Sequence, residues 1–141
     1  MIKGIALLLS LLICACSTGH IIRESGRSIE DIKQAILIIA GEPRVVSENK
    51  REFTSNYFSR KKDPNFDPAK SKERLFAKFT ILGDRRPYDI QVQVFIEQRT
   101  DGTYEEVGLD DVFTDQIATE LKRQLTKRPG DRNVIDDFRA F

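Results

Sequence analysis

Apolar residues recur along this chain with two different periods, and the changes of period mark out its elements. Ile29, Ile32, Ile36 and Ile39 fall at helical spacing, with Leu37 and Ala40 widening the stripe, which predicts an amphipathic helix over 29–40. Ser28 stands in the N-cap position with Asp31 three residues on as in a capping box, and Gly41 and Pro43 stop the helix. From Arg44 the period falls to two. Arg44–Ser47 reads as a short strand, and Arg51–Arg60 as a second with Phe53, Ser55 and Tyr57 on one face and Phe58 on the other. In Arg74–Leu82, Leu75, Ala77, Phe79 and Ile81 alternate with Arg74, Lys78 and Thr80. In Tyr88–Gln98, Tyr88, Ile90, Val92, Val94 and Ile96 share one face and Asp89, Gln91, Gln93 and Glu97 the other. Thr100-Asp101-Gly102 supplies a hairpin turn into Thr103–Val107. Leu109, Val112, Phe113, Ile117, Leu121 and Leu125 then return to helical spacing, with Asp110 or Asp111 at the N-terminus. Lys122, Arg123, Lys127 and Arg128 lie towards the C-terminal end, and Pro129-Gly130 terminates the helix.

Strands with one apolar and one polar face form an antiparallel sheet covered on one side. The pattern therefore predicts an α+β two-layer sandwich in the order α-β-β-β-β-α: an antiparallel sheet of about four strands with two helices on one face. The long interruption is 61–73, where Pro64 and Pro68 and a shortage of apolar side chains exclude regular structure and predict a projecting loop. Phe66 is its one large apolar residue.

Ahead of the first helix, Lys3 precedes an apolar run from Ile5 to Ile13. That is the length of a secretory leader and far short of the roughly 20 residues that span a bilayer. The run closes on Ile13-Cys14-Ala15-Cys16-Ser17, and here the chain resembles a bacterial lipoprotein precursor. The resemblance implies cleavage before Cys16, a diacylglyceryl group on its thiol and an acyl group such as palmitate on the new amine. Cys14 does not fit that role, because bulky Ile13 would occupy the position that must be small. By the same resemblance, Ser17 after the cysteine implies an outer-membrane destination facing the periplasm. Each buried methylene contributes about 0.8 kcal/mol, so two or three acyl chains hold a protein at a membrane surface where one does not. The expected organisation is a signal peptide over 1–15, a lipidated tether over 16–27, the α+β domain over 28–128 and a C-terminal tail over 129–141.

Without the leader and its Lys3, the 22 remaining Lys and Arg balance 22 Asp and Glu, so no global field draws the domain to nucleic acid. With Cys14 removed and Cys16 acylated, no thiol is left for a disulfide, a metal or a nucleophile. The single histidine, His20, falls in the expected tether, where no rigid frame would hold it against a substrate. Glycines are scattered rather than gathered into a phosphate loop, and zinc-type Cys and His pairs are absent from the sequence. No catalytic residue, metal, cofactor or nucleic acid partner is therefore expected. The acidic run Glu105, Glu106, Asp110, Asp111 and Asp115 supplies the one catalytic alternative, a peptidoglycan-active hydrolase with paired carboxylates, against the simpler role of acids at a turn and a helix N-terminus.

Antiparallel strands would gather Arg60, Lys61, Lys62, Lys72, Arg74 and Arg99 at one end of the sheet and Lys50, Arg51, Arg85 and Arg86 at the other. The tail keeps Val134, Ile135, Phe138 and Phe141 as apolar positions. These features predict a non-enzymatic adaptor or scaffold in an envelope assembly, anchored through Cys16. Its expected partner contacts are Lys61, Lys62 and Phe66 in the loop and Phe138 and Phe141 in the tail. Helices on a small sheet behind a lipidated cysteine are similar to accessory lipoproteins of outer-membrane protein assembly and of lipopolysaccharide transport, and to secretin pilots. A lipid- or glycan-binding envelope protein is the alternative from a different class.

Overall fold

The computed structural model describes residues 18–127. Eight elements follow one another: β1 (His20–Ser25), α1 (Ile29–Ala40), β2 (Val45–Val46), β3 (Glu52–Thr54), β4 (Glu73–Leu82), β5 (Tyr88–Thr100), β6 (Thr103–Leu109) and α2 (Asp111–Thr126). The strands form one antiparallel sheet in the order β1-β5-β4-β3-β2, with β6 also paired to β5. Both helices pack on the same face, where Ile32, Ala35 and Ile36 of α1 and Ala118, Leu121 and Leu125 of α2 join Leu75, Ala77, Phe79 and Ile81 of β4 and Ile90, Val92 and Val94 of β5 in a single core. The expected α+β sandwich is the one observed, with six strands in place of about four.

The longest periodic segments form as their patterns require. Ser28 caps α1 by accepting the Asp31 N–H, and Gly41, at φ 72°, closes it with its own N–H on the Leu37 carbonyl. Asp110 caps α2 by accepting the Phe113 N–H at 2.9 Å. Asp101 and Gly102 both take positive φ, 50° and 85°, the conformation of a tight two-residue hairpin turn, and Thr100 pairs with Thr103 across it.

Three segments depart from the sequence pattern. Residues 20–25, expected within the tether, form β1, so only residues 17–19 of the sequence separate Cys16 from the sheet. A bulge between Ile22 and Ser25 breaks the alternation, and Glu24 within it takes φ 56° and donates its N–H to the Asp89 carboxylate. The expected strand 51–60 is regular only over Glu52–Thr54. After Thr54 the Ser55 hydroxyl accepts the Ala77 N–H and donates to the Asn56 carbonyl, a kink that reverses the alternation. Phe58 consequently packs against the core and bridges to Leu75, while Tyr57 meets Phe76 on the opposite face. Leu109, expected on the second helix, is the last residue of β6, and Val112 is 66% exposed rather than part of the buried stripe.

The edge of β5 away from β4 is shared end to end: β1 covers Tyr88–Val92 and β6 covers Phe95–Thr100. At the gap between them the first turn of α2 takes the place of a strand. Thr114 Oγ1 accepts the Val94 N–H at 3.0 Å, and the Asp110 N–H donates to the Val94 carbonyl at 2.8 Å. Val94 thus keeps both backbone groups satisfied although no strand residue faces it there. At the other end of the helix Arg27 donates to the carbonyls of Leu125 and Lys127, at 2.8 and 2.6 Å.

Candidate functional site

The kink after Thr54 opens a groove on the helical side of the molecule. Its walls are the last turn of α1 (Ile39, Ala40), the Ser55–Phe58 segment and the outer flank of α2 (Phe113, Ile117), with Ala77 of β4 at the base. The volume is about 410 Å³. Phe58, turned inward by the kink, packs on Phe113 with ring centroids 6.0 Å apart. Asn56 ties this wall to the chain leaving α1 by donating to the Glu42 carbonyl at 3.2 Å. Apolar side chains make the interior, and Asn56, Gln116 and Glu120 supply polar groups at the margin. Glu120 stays ionised there, because hydrogen bonds from Arg123 and then Gln124 hold its carboxyl down to about 2. An apolar trough with a few polar groups at its margin suits an inserted apolar segment or chain.

On the opposite side, the face of the sheet that no described element covers carries aromatic rings where polar residues are usual. Phe76 and Phe95, paired across β4 and β5, stack at 5.2 Å with an interplanar angle of 18°. Tyr57 meets Phe76 edge-on at 5.9 Å, and Leu109 lies opposite Phe95 on β6. The Arg44 guanidinium lies over Tyr57 at 4.3 Å and near Phe76 at 5.6 Å. Arg74 is sandwiched between Tyr57 and Tyr104 at 3.7 and 3.5 Å and is ion-paired to Glu97 at 2.6 Å. Arg74 is thus already satisfied, whereas Arg44 has no carboxylate within ion-pair distance among the described residues and is exposed.

Of the contacts expected from sequence, Cys16, Phe138 and Phe141 lie outside the described residues. Lys61 and Lys62 are exposed and Phe66 is half-buried in the 61–72 loop, and none of the three lines the groove. The loop is less free than its composition implied. Asp63-Pro64 and Asp67-Pro68 open two successive turns, their carboxylates accepting the N–H of Asn65 and Ala69, and Tyr104 Oη donates to the Ser71 carbonyl. Within the basic group at that end of the sheet, Arg60 pairs with Glu73 and Asp110, and Arg74 with Glu97. At the other end Arg51 donates to the Gly83 carbonyl.

The acidic run does not assemble into one site. Asp110 caps α2, Glu105 and Glu106 are exposed on β6, and Asp115 bonds to His20 at 2.9 Å. His20 therefore stands on strand β1 with a defined partner on α2, rather than in a loose tether. No group of three or more potential metal ligands occurs among the described residues, and no described helix is long and apolar enough to cross a membrane. The groove and the aromatic belt had one signal each in the sequence: the Tyr57-Phe58 doublet, which cannot keep both rings on one strand face, and Phe76 and Phe95, which stand at polar positions of their alternations. Compared with protein-family models, with curated proteins and with solved structures, the chain matches none.

Proposed function

We propose that this protein is a non-enzymatic envelope adaptor, held at the outer membrane by lipid on Cys16, that receives an apolar segment of a protein partner in the groove between α1, α2 and Phe58. The observation that carries this reading is the groove itself: about 410 Å³ of apolar space left unfilled beside a core whose largest side chains are fully buried. Its apolar lining, open to solvent, suits recognition of an apolar segment. Of the groups a hydrolase would need, Asp110 is engaged in capping and Asp115 and His20 in pairing, while Glu105 and Glu106 stand exposed on β6.

The same lining favours a second reading, the lipid-binding one, because an acyl chain is also an apolar segment. One experiment separates the two. A photo-crosslinking residue at exposed Gln116 on the groove margin, introduced in the native host, forms a discrete protein adduct if the partner is a polypeptide and a lipid adduct by mass if it is a carrier. The adaptor reading requires that the protein adduct vanish on Ile39→Glu, which charges the groove, and persist on Lys33→Glu, with circular dichroism unchanged in both. An adduct indifferent to Ile39→Glu overturns it.

A further inference from the structure

The chain reaches the sheet over its open face. The Thr18 carbonyl accepts from Gln91 Nε2 at 2.6 Å, and Gly19, at φ 78°, lies so close to β5 that a Cβ there would fall 2.5 Å from both Gln93 Cγ and the Val92 carbonyl oxygen. Gln91 and Gln93 alternate with buried Ile90, Val92 and Val94, so both project away from the helices. Gln93 is two residues from Phe95, which places the point of arrival beside the aromatic belt.

We infer that this open face lies against a lipid bilayer, with Tyr57, Phe76 and Phe95 at interfacial depth and Arg44 reaching lipid phosphate. The inference rests on the anchoring part of the proposed function and adds which side of the molecule meets the membrane. Only 17–19 separate Cys16 from β1, and three residues span at most about 10 Å. Gly19 and Thr18 are fixed to the open face, so a lipidated Cys16 cannot carry the helical face to the membrane without detaching β1. The residues beside that point suit an interface. A tyrosine ring settles at headgroup level, phenylalanine rings bury at the headgroup–acyl boundary just beneath, and an arginine stacked on them keeps its guanidinium in the polar zone. Of the open-face cations, Arg74 is paired with Glu97 and Lys78 with Glu52 at 3.1 Å, which leaves exposed Arg44, stacked on the belt, and exposed Arg99, farther along β5, for an external anion. The groove then opens on the helical side, away from the bilayer.

The test uses the full acylated protein on vesicles of phosphatidylethanolamine and phosphatidylglycerol, 3:1, carrying a headgroup spin label. Fluorescent probes go on T80C, in the open face, and T119C, exposed on α2. The expected result is flotation of the protein with the vesicles and quenching several-fold stronger at position 80 than at 119, with the difference reduced by Arg44→Glu, an exposed change that leaves the core intact. Equal quenching, or stronger quenching at 119, with full flotation overturns the proposed face and leaves the anchor standing. Flotation with neither probe quenched also overturns it, in favour of a protein lying on the belt. Failure to float removes the anchor and the orientation together.

Discussion

Thr114 Oγ1 accepts the Val94 N–H at 3.0 Å, joining the first turn of α2 to the middle of the longest strand at a point where neither β1 nor β6 reaches. Thr114 is 2% exposed, so water cannot replace its hydroxyl. Thr114→Val keeps the shape and removes the acceptor, leaving a buried N–H unpaired at a cost of about 1–3 kcal/mol. Thr114→Ser keeps the acceptor and loses less. Urea denaturation of the two variants reads the difference directly, and equal midpoints would show that the bond contributes nothing.

Gly19 makes a second sharp prediction. Its positive φ and the backbone oxygen of Val92 in the path of a Cβ predict that Gly19→Ala destabilises by about 1–3 kcal/mol and frays β1. Gly26 has no positive φ and no heavy atom within 4 Å of where a Cβ would sit, so it accepts Ala with little change. Hydrogen exchange of the Ile21 and Ile22 amides distinguishes local fraying from global loss.

Asp110 both caps α2 and pairs with Arg60, using different carboxylate oxygens. Asp110→Ala loses both roles, and the cap alone accounts for about 1 kcal/mol. Asp110→Asn retains an acceptor for the Phe113 N–H and gives up the ion pair, so its thermal midpoint falls between wild type and Ala. A midpoint for Asn equal to that of Ala would assign the whole effect to Arg60.

The Glu120 carboxyl, pulled to about 2 by Arg123 and then Gln124, makes α2 sensitive to acid. A carboxyl whose folded value lies below its unfolded value of 4.5 stabilises above 4.5, and that contribution is lost as pH falls from there towards 2. Carboxyl NMR titration should place Glu120 well below 4.5, and Arg123→Gln should return it towards that value. A Glu120 midpoint that does not move on Arg123→Gln would show the pair to be unformed in solution. Because the pair is on the surface, salt weakens it.

Most of the framework was legible in the sequence because α1, β4, β5 and α2 each hold four or more apolar residues at one period, and each end carries its own stop chemistry. β1 was not, because Ile21 and Ile22 are adjacent rather than alternating and a bulge follows them. Its strand character comes from pairing with β5, a tertiary effect that local pattern does not encode. The kink at Ser55 was hidden for a similar reason: the Ser55 hydroxyl replaces a ladder bond by accepting from Ala77, a residue of another strand. The groove depends on that kink, so its lining, drawn from four separate stretches of chain, had no contiguous signature beyond the Tyr57-Phe58 doublet.

The arrangement of the strands bears on when the fold can close during synthesis. Thr18 and Gln91 are 73 residues apart, and everything β1 bonds to in the sheet belongs to β5. A nascent chain emerging N-terminus first holds β1 single until Tyr88–Val92 of β5, about two thirds of the way along the 141 residues, have followed. Such a wiring delays collapse, because the strand that arrives earliest must wait for a partner far along the chain.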